Sequence, residues 1–79
     1  MGLSSSQVLE DVAEVLYVEV PELDHESDLR DQGLDSVRTM ELVEKWRRAG
    51  VDKLDYIVLA EDPKLARWLT VLETLQAEA

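Results

Sequence analysis

Apolar residues recur at helical spacing in three stretches of the chain and cluster in a shorter fourth, and no run alternates as a half-buried strand requires. In the first stretch Val8, Val12, Val15 and Leu16 form a stripe with Leu9 at its margin. Val12, Val15, Val18 and Val20 would also suit a strand, but Glu10, Asp11 and Glu14 fall on the opposite helical face instead of alternating. Ser4-Ser5-Ser6-Gln7 fits a capping box with Leu3 and Val8 as a hydrophobic staple, so a helix is expected from the serine run to about Val18. Pro21 ends regular structure, and a long polar loop follows from Glu19 to Asp35. Loops of this length are commonly functional or disordered. Leu23, Leu29 and Leu34 favour an ordered loop pinned to the core.

The second helix is expected from Ser36 to Arg48, stopping at Ala49-Gly50 with Lys45, Arg47 and Arg48 complementing the dipole of its last turn. Thr39, Leu42, Val43 and Trp46 lie at i, i+3, i+4 and i+7 and should face the core. Val37 and Met40 fall off that stripe and, with Glu41 and Glu44, make a second, mixed face beside Ser36 that suits partner contact. The short cluster Leu54-Asp55-Tyr56-Ile57-Val58-Leu59-Ala60 has no second strand to pair with and is read as a short third helix. Asp62-Pro63 has the form of an N-cap followed by proline at the first helical position. Leu65, Trp68, Leu69, Leu72 and Leu75 then give the fourth helix its apolar face, with Trp46 and Trp68 expected in the core. The fold class is all-α: a small four-helix bundle of three main helices plus a short third one.

The chain has 79 residues, enough for one small domain over 1–79 but not for a deep, walled active site. The net charge is −10 and one-sided: residues 1–35 hold ten acids against Arg30 alone, while the remaining acids and bases nearly cancel. Such a surface repels nucleic-acid phosphates and anionic lipid, and steers basic protein surfaces toward the chain. No run of about eighteen apolar residues exists and no basic-then-apolar leader opens the chain, so a cytoplasmic protein without membrane or nucleic-acid partners is expected. Met1-Gly2 with Ser6 superficially fits a myristoylation pattern, but no polybasic signal follows. With no cysteine, any thiol chemistry has to come from an added group. His25 stands alone in an acidic stretch and reads as a solvated surface residue, and Asp24, Glu26, Asp28 and Asp31 lack the glycine and spacing of a calcium loop. No catalytic or metal site emerges.

The candidate chemistry lies in Asp31-Gln32-Gly33-Leu34-Asp35-Ser36-Val37, where the polar loop becomes a helix. A helix N-terminus offers unpaired N–H groups and the positive end of the macrodipole, so a phosphate esterified to Ser36 would be well placed there. The same residues also fit an ordinary N-cap after a turn glycine.

The order of parts resembles the phosphopantetheine-binding carrier proteins of nonribosomal peptide, polyketide and fatty-acid synthesis. The resemblance rests on a capped first helix, a long acidic loop, Gly33-Leu34-Asp35-Ser36 opening the second helix, a short third helix, and Asp62-Pro63 before the last. Gly33 to Met40, with Trp46-Arg47 and Tyr56-Ile57-Val58-Leu59-Ala60, is most similar to the aryl carrier domains of siderophore synthesis, especially those fused to isochorismatase domains. The resemblance implies 4′-phosphopantetheine on Ser36, placed there from coenzyme A by a phosphopantetheinyl transferase, with Gly33, Leu34 and Asp35 shaping the approach. It further implies a carrier with no catalysis of its own, acting as a monomer. An adenylating enzyme would load salicylate or 2,3-dihydroxybenzoate as a thioester, and a condensation or cyclisation domain would take the aryl group. Val37, Arg38, Met40, Tyr56 and Ala60 match the family's partner surface. Arg38, Lys45, Arg47 and Arg48 offset Glu41 and Glu44, unlike the strongly acidic second helix of fatty-acid carriers. A carrier for an aminoacyl or other acyl group, and a helical interaction domain in which Ser36 is only a cap, are the alternatives.

Overall fold

The computed structural model describes residues 2–77. Four α-helices, and no strand among those residues, run in the order α1 Ser5–Leu16, α2 Ser36–Arg48, α3 Tyr56–Glu61 and α4 Leu65–Ala77. The loop between α1 and α2 contains two short 3-10 turns, Val20–Glu22 and Leu29–Gln32. Leu23, Leu29 and Leu34 are all buried, so the loop is tied to the core at the three expected points. Leu42, Val43 and Trp46 of α2 meet Val8, Val12 and Leu16 of α1 and Leu65, Trp68 and Leu72 of α4 in one core. Trp46 and Trp68 lie edge to face, with centroids 6.0 Å apart, and neither reaches solvent. Each buries an indole N–H, and each N–H is satisfied, Trp68 donating to the Leu59 carbonyl at 3.0 Å and Trp46 to the Asp11 carboxylate at 2.9 Å.

Asp11 departs from the sequence reading, which put it on the solvent face with Glu10 and Glu14. It is 2% exposed. Besides the Trp46 indole, its carboxylate accepts from Gln7 Nε2 at 2.8 Å and pairs with Lys45 Nζ at 2.9 Å. The Gln7 side chain is thereby used on Asp11 instead of completing the capping box, although Ser4 Oγ does accept from the Gln7 N–H at 3.1 Å. Burial by itself pushes the Asp11 carboxyl up, but the Lys45, Trp46 and Gln7 donors together outweigh it and hold the group below the ordinary carboxylate value.

Two helix ends also move from their expected places. α1 stops at Leu16, two residues before Val18, because Tyr17 turns left-handed at φ 58°. The Val18 N–H then bonds the Ala13 carbonyl and the Tyr17 N–H the Glu14 carbonyl, the paired bonds of a Schellman cap. A glycine is usual at this position, and tyrosine gives up about 1 kcal/mol to occupy it. α4 begins at Leu65 instead of at Asp62-Pro63. Asp62 closes α3, and the first turn of α4 is met by the long loop: the Ala66 N–H donates to the His25 carbonyl at 3.0 Å. The Pro63 carbonyl is meanwhile taken by the Leu29 N–H at 2.7 Å. The backbone of the loop supplies the cap that Asp62 was expected to provide. α3 begins at Tyr56, with Asp55 as its N-cap and Leu54 buried before it.

Candidate functional site

The approach to α2 is set by three residues in succession. Gly33 adopts φ 110°, a conformation that strains any side-chain-bearing residue, and its N–H bonds the Arg30 carbonyl at 3.2 Å to close the 3-10 turn. Leu34 is buried, its N–H donating to the Leu29 carbonyl at 3.0 Å. Asp35 is the N-cap, with extended backbone and Oδ1 accepting from the Arg38 N–H at 2.8 Å. Its carbonyl also accepts from the Thr39 N–H and Oγ1, at 3.0 and 2.8 Å.

This arrangement frees Ser36. Because Asp35 does the capping, Ser36 occupies the first helical position, exposed, and its hydroxyl has no hydrogen-bond partner among the described residues. The Ser36 and Val37 N–H groups beside it are likewise outside the helical ladder, as the first N–H groups of any helix are. The reading of Ser36 as a mere cap finds no contact to rest on. A phosphate ester on the hydroxyl fits the site, with open space outward, two free N–H donors and the positive end of a 13-residue helix behind it.

On one flank of Ser36 a groove of about 250 Å³ runs between α2 and α3, lined by Leu34, Ser36, Thr39, Tyr56, Leu59 and Ala60 among others. The structure therefore brings Tyr56 and Ala60 into one groove with Ser36, with Tyr56 half-buried and Ala60 exposed. Val37 and Met40 point outward, 65% and 46% exposed, and Ile57 of α3 is another exposed apolar side chain, which the sequence reading had only as part of the apolar cluster of the third helix. Its position two residues after the Asp55 cap, off the side occupied by Leu59, was the available signal.

Arg38 occupies the other flank. Its guanidinium pairs with Asp35 Oδ2 at 3.0 Å, donates to the Gly33 carbonyl at 3.3 Å, and lies over the Tyr17 ring, 5.7 Å from its centroid. Tyr17 was not among the expected site residues. Nothing in the spacing of α1 marks it, because only the left-handed turn brings residue 17 back to α2.

Residues 6–72 match the family model described as phosphopantetheine attachment site. The chain belongs to this family. Such a domain carries 4′-phosphopantetheine covalently on a serine. Among its relatives, the acyl carrier protein ScoB of Streptomyces coeruleorubidus is 39% identical over 69 residues, covering 87% of this chain and 80% of that one. The isochorismatase of Bacillus subtilis is 43% identical over 63 residues, 80% of this chain and 20% of that protein. Phenyloxazoline synthase MbtB of Mycolicibacterium paratuberculosis is 44% identical over 64 residues, 81% of this chain and 5% of that protein. The chain thus spans a small part of the latter two. No solved structure gives a significant match. No helix among the described residues is long and apolar enough to cross a membrane.

Proposed function

We propose that the chain is an aryl carrier of nonribosomal siderophore synthesis, with Ser36 as the attachment point of its 4′-phosphopantetheine. The observation that carries the site is the free hydroxyl of Ser36 at the first position of α2, with capping delegated to Asp35. In the attachment step Ser36 Oγ forms a P–O bond to the pantetheine phosphate of coenzyme A, adenosine bisphosphate leaves, and the serine proton passes to a base of the transferase. Nothing in this step needs a catalytic group of the carrier, which is why an exposed serine at a fixed helix start suffices. The Gly33 turn and buried Leu34 hold the approach rigid, Asp35 fixes the helix start, and the unpaired N–H groups of Ser36 and Val37 meet the phosphate. The attached group supplies the thiol that this cysteine-free chain lacks and that takes an acyl group as a thioester.

The aryl assignment is supported by the likeness to an isochorismatase and to a phenyloxazoline synthase, the second of which names an aryl product. The charge on α2, four bases against two acids, agrees with a role outside fatty-acid synthesis. An adenylating enzyme loads the aryl acid, and a condensation or cyclisation domain takes it. Val37, Met40, Tyr56 and Ala60 form the contact surface for those enzymes: a few desolvated anchors hold a transient complex without making it permanent. The carrier acts as a cytoplasmic monomer, where coenzyme A and ATP are at hand. The test is a loading panel in which the modified chain, ATP and aryl-adenylating enzymes are supplied with salicylate, 2,3-dihydroxybenzoate or a set of amino acids, and intact mass is read. Loading by aryl acids alone is expected; loading only by amino acids with their adenylating enzymes makes the chain a peptidyl carrier.

A further inference from the structure

We infer that Tyr17 is a docking residue for the phosphopantetheinyl transferase, on the flank of Ser36 opposite the α2–α3 groove; the inference rests on the reading of Ser36 as the attachment point. Tyr17 is the most exposed large hydrophobic residue described, at 83%. It holds a left-handed backbone position that local physics assigns to glycine or asparagine. A residue that breaks a local rule and buries almost nothing in return contributes little to folding, and such exceptions concentrate at functional sites. The ring also faces a cation. The Arg38 guanidinium over it is anchored to Asp35 and to the Gly33 carbonyl, so the ring, the cation and the approach to Ser36 form one presented surface. A large aromatic side chain open to solvent is the residue type that anchors interfaces.

Two features select the transferase among the partners a carrier meets. It alone acts on the bare serine hydroxyl, with no long arm to bridge the gap, so its surface has to close on the residues immediately around Ser36. It must also bind coenzyme A, whose diphosphate and ribose phosphate call for basic residues at its active-site mouth. The loop that starts beside Tyr17 presents exposed Glu19, Glu22, Asp24, Glu26 and Asp31 against a single arginine, Arg30, whose charge is already met by Asp28 at 2.7 Å. An apolar anchor bordered by uncompensated acid complements a basic enzyme surface.

The experiment measures transfer from coenzyme A to the unmodified chain, with magnesium and a broad-range phosphopantetheinyl transferase, for the parent, Tyr17→Gly and Tyr17→Phe. Removing the ring with glycine is expected to raise KM about tenfold with kcat within about twofold, while phenylalanine keeps parental values. Glycine suits the left-handed position, so this variant should resist denaturant at least as well as the parent, which separates lost docking from lost fold. Once modified at high carrier concentration, it should accept an acyl group from the adenylating enzyme at the parental rate. An unchanged KM for Tyr17→Gly with a parent that is modified normally overturns the inference and leaves the carrier reading intact. Loading impaired with modification intact assigns the face to the adenylating enzyme and overturns it too. A parent that gains no group removes the reading of Ser36, and this inference with it.

Discussion

Asp11 and Asp35 each pair with a cation of α2, Lys45 at 2.9 Å and Arg38 at 3.0 Å, yet the first carboxylate is 3% exposed and the second 54%. Around Asp11 every polar atom is spoken for: the indole of Trp46, the amide of Gln7 and the ammonium of Lys45 converge on it, joining α1 to α2 from the inside. Around Asp35 the bonds are local, all to its own helix and turn, and they leave the neighbouring serine hydroxyl unengaged. The same chemical pair therefore does two jobs. Inside, it fixes how α1 sits on α2; outside, it takes over the capping and leaves the Ser36 hydroxyl unengaged.

Substitutions at the two carboxylates should separate these jobs. The largest effect on stability is expected from Asp11→Ala, which leaves the buried Trp46 N–H without an acceptor and should cost about 3 kcal/mol in denaturant unfolding at pH 7. Acid sharpens this. The folded pKa of Asp11 lies below its unfolded value, so its contribution is fully present above about pH 4 and disappears as pH falls through the folded value. The gap between parent and Asp11→Ala should therefore narrow in unfolding measured at pH 3 and below. Asp35→Ala removes an exposed cap and should cost about 1 kcal/mol in the same assay, while slowing modification of Ser36 because the helix start is less fixed. Met40→Ala, on the exposed face, should change stability by about 0.5 kcal/mol or less yet weaken single-turnover transfer of the acyl group to the downstream domain. Unchanged transfer in that variant would remove Met40 from the partner surface.

What could be read before the structure, and what could not, follows the range of the interactions involved. The limits of α2, its buried stripe of Thr39, Leu42, Val43 and Trp46, and the exposure of Val37 and Met40 are consequences of helical period and local capping, and all were expected. So were the three leucines that pin the loop, because a polar stretch with isolated leucines has few other uses for them. Asp11 was misplaced because its partner Trp46 lies 35 residues away, and an acid among acids on α1 carries no local sign of an indole waiting for it. Asp62-Pro63 has the local form of a helix start, but the His25 carbonyl, from a loop distant in sequence, fills that role. Ser36 was identifiable as a candidate from Gly33-Leu34-Asp35-Ser36, but the division of labour in which Asp35 caps and Ser36 stays free is a matter of backbone geometry.

The most direct test of the account is the intact mass of the chain and of Ser36→Ala, each incubated with coenzyme A, magnesium and a phosphopantetheinyl transferase. A gain of one phosphopantetheine group is expected in the parent and none in the variant, with both chains equally folded. A parent that is folded, unmodified at the outset and still gains nothing, or a variant that gains the group as readily, would contradict the assignment of Ser36.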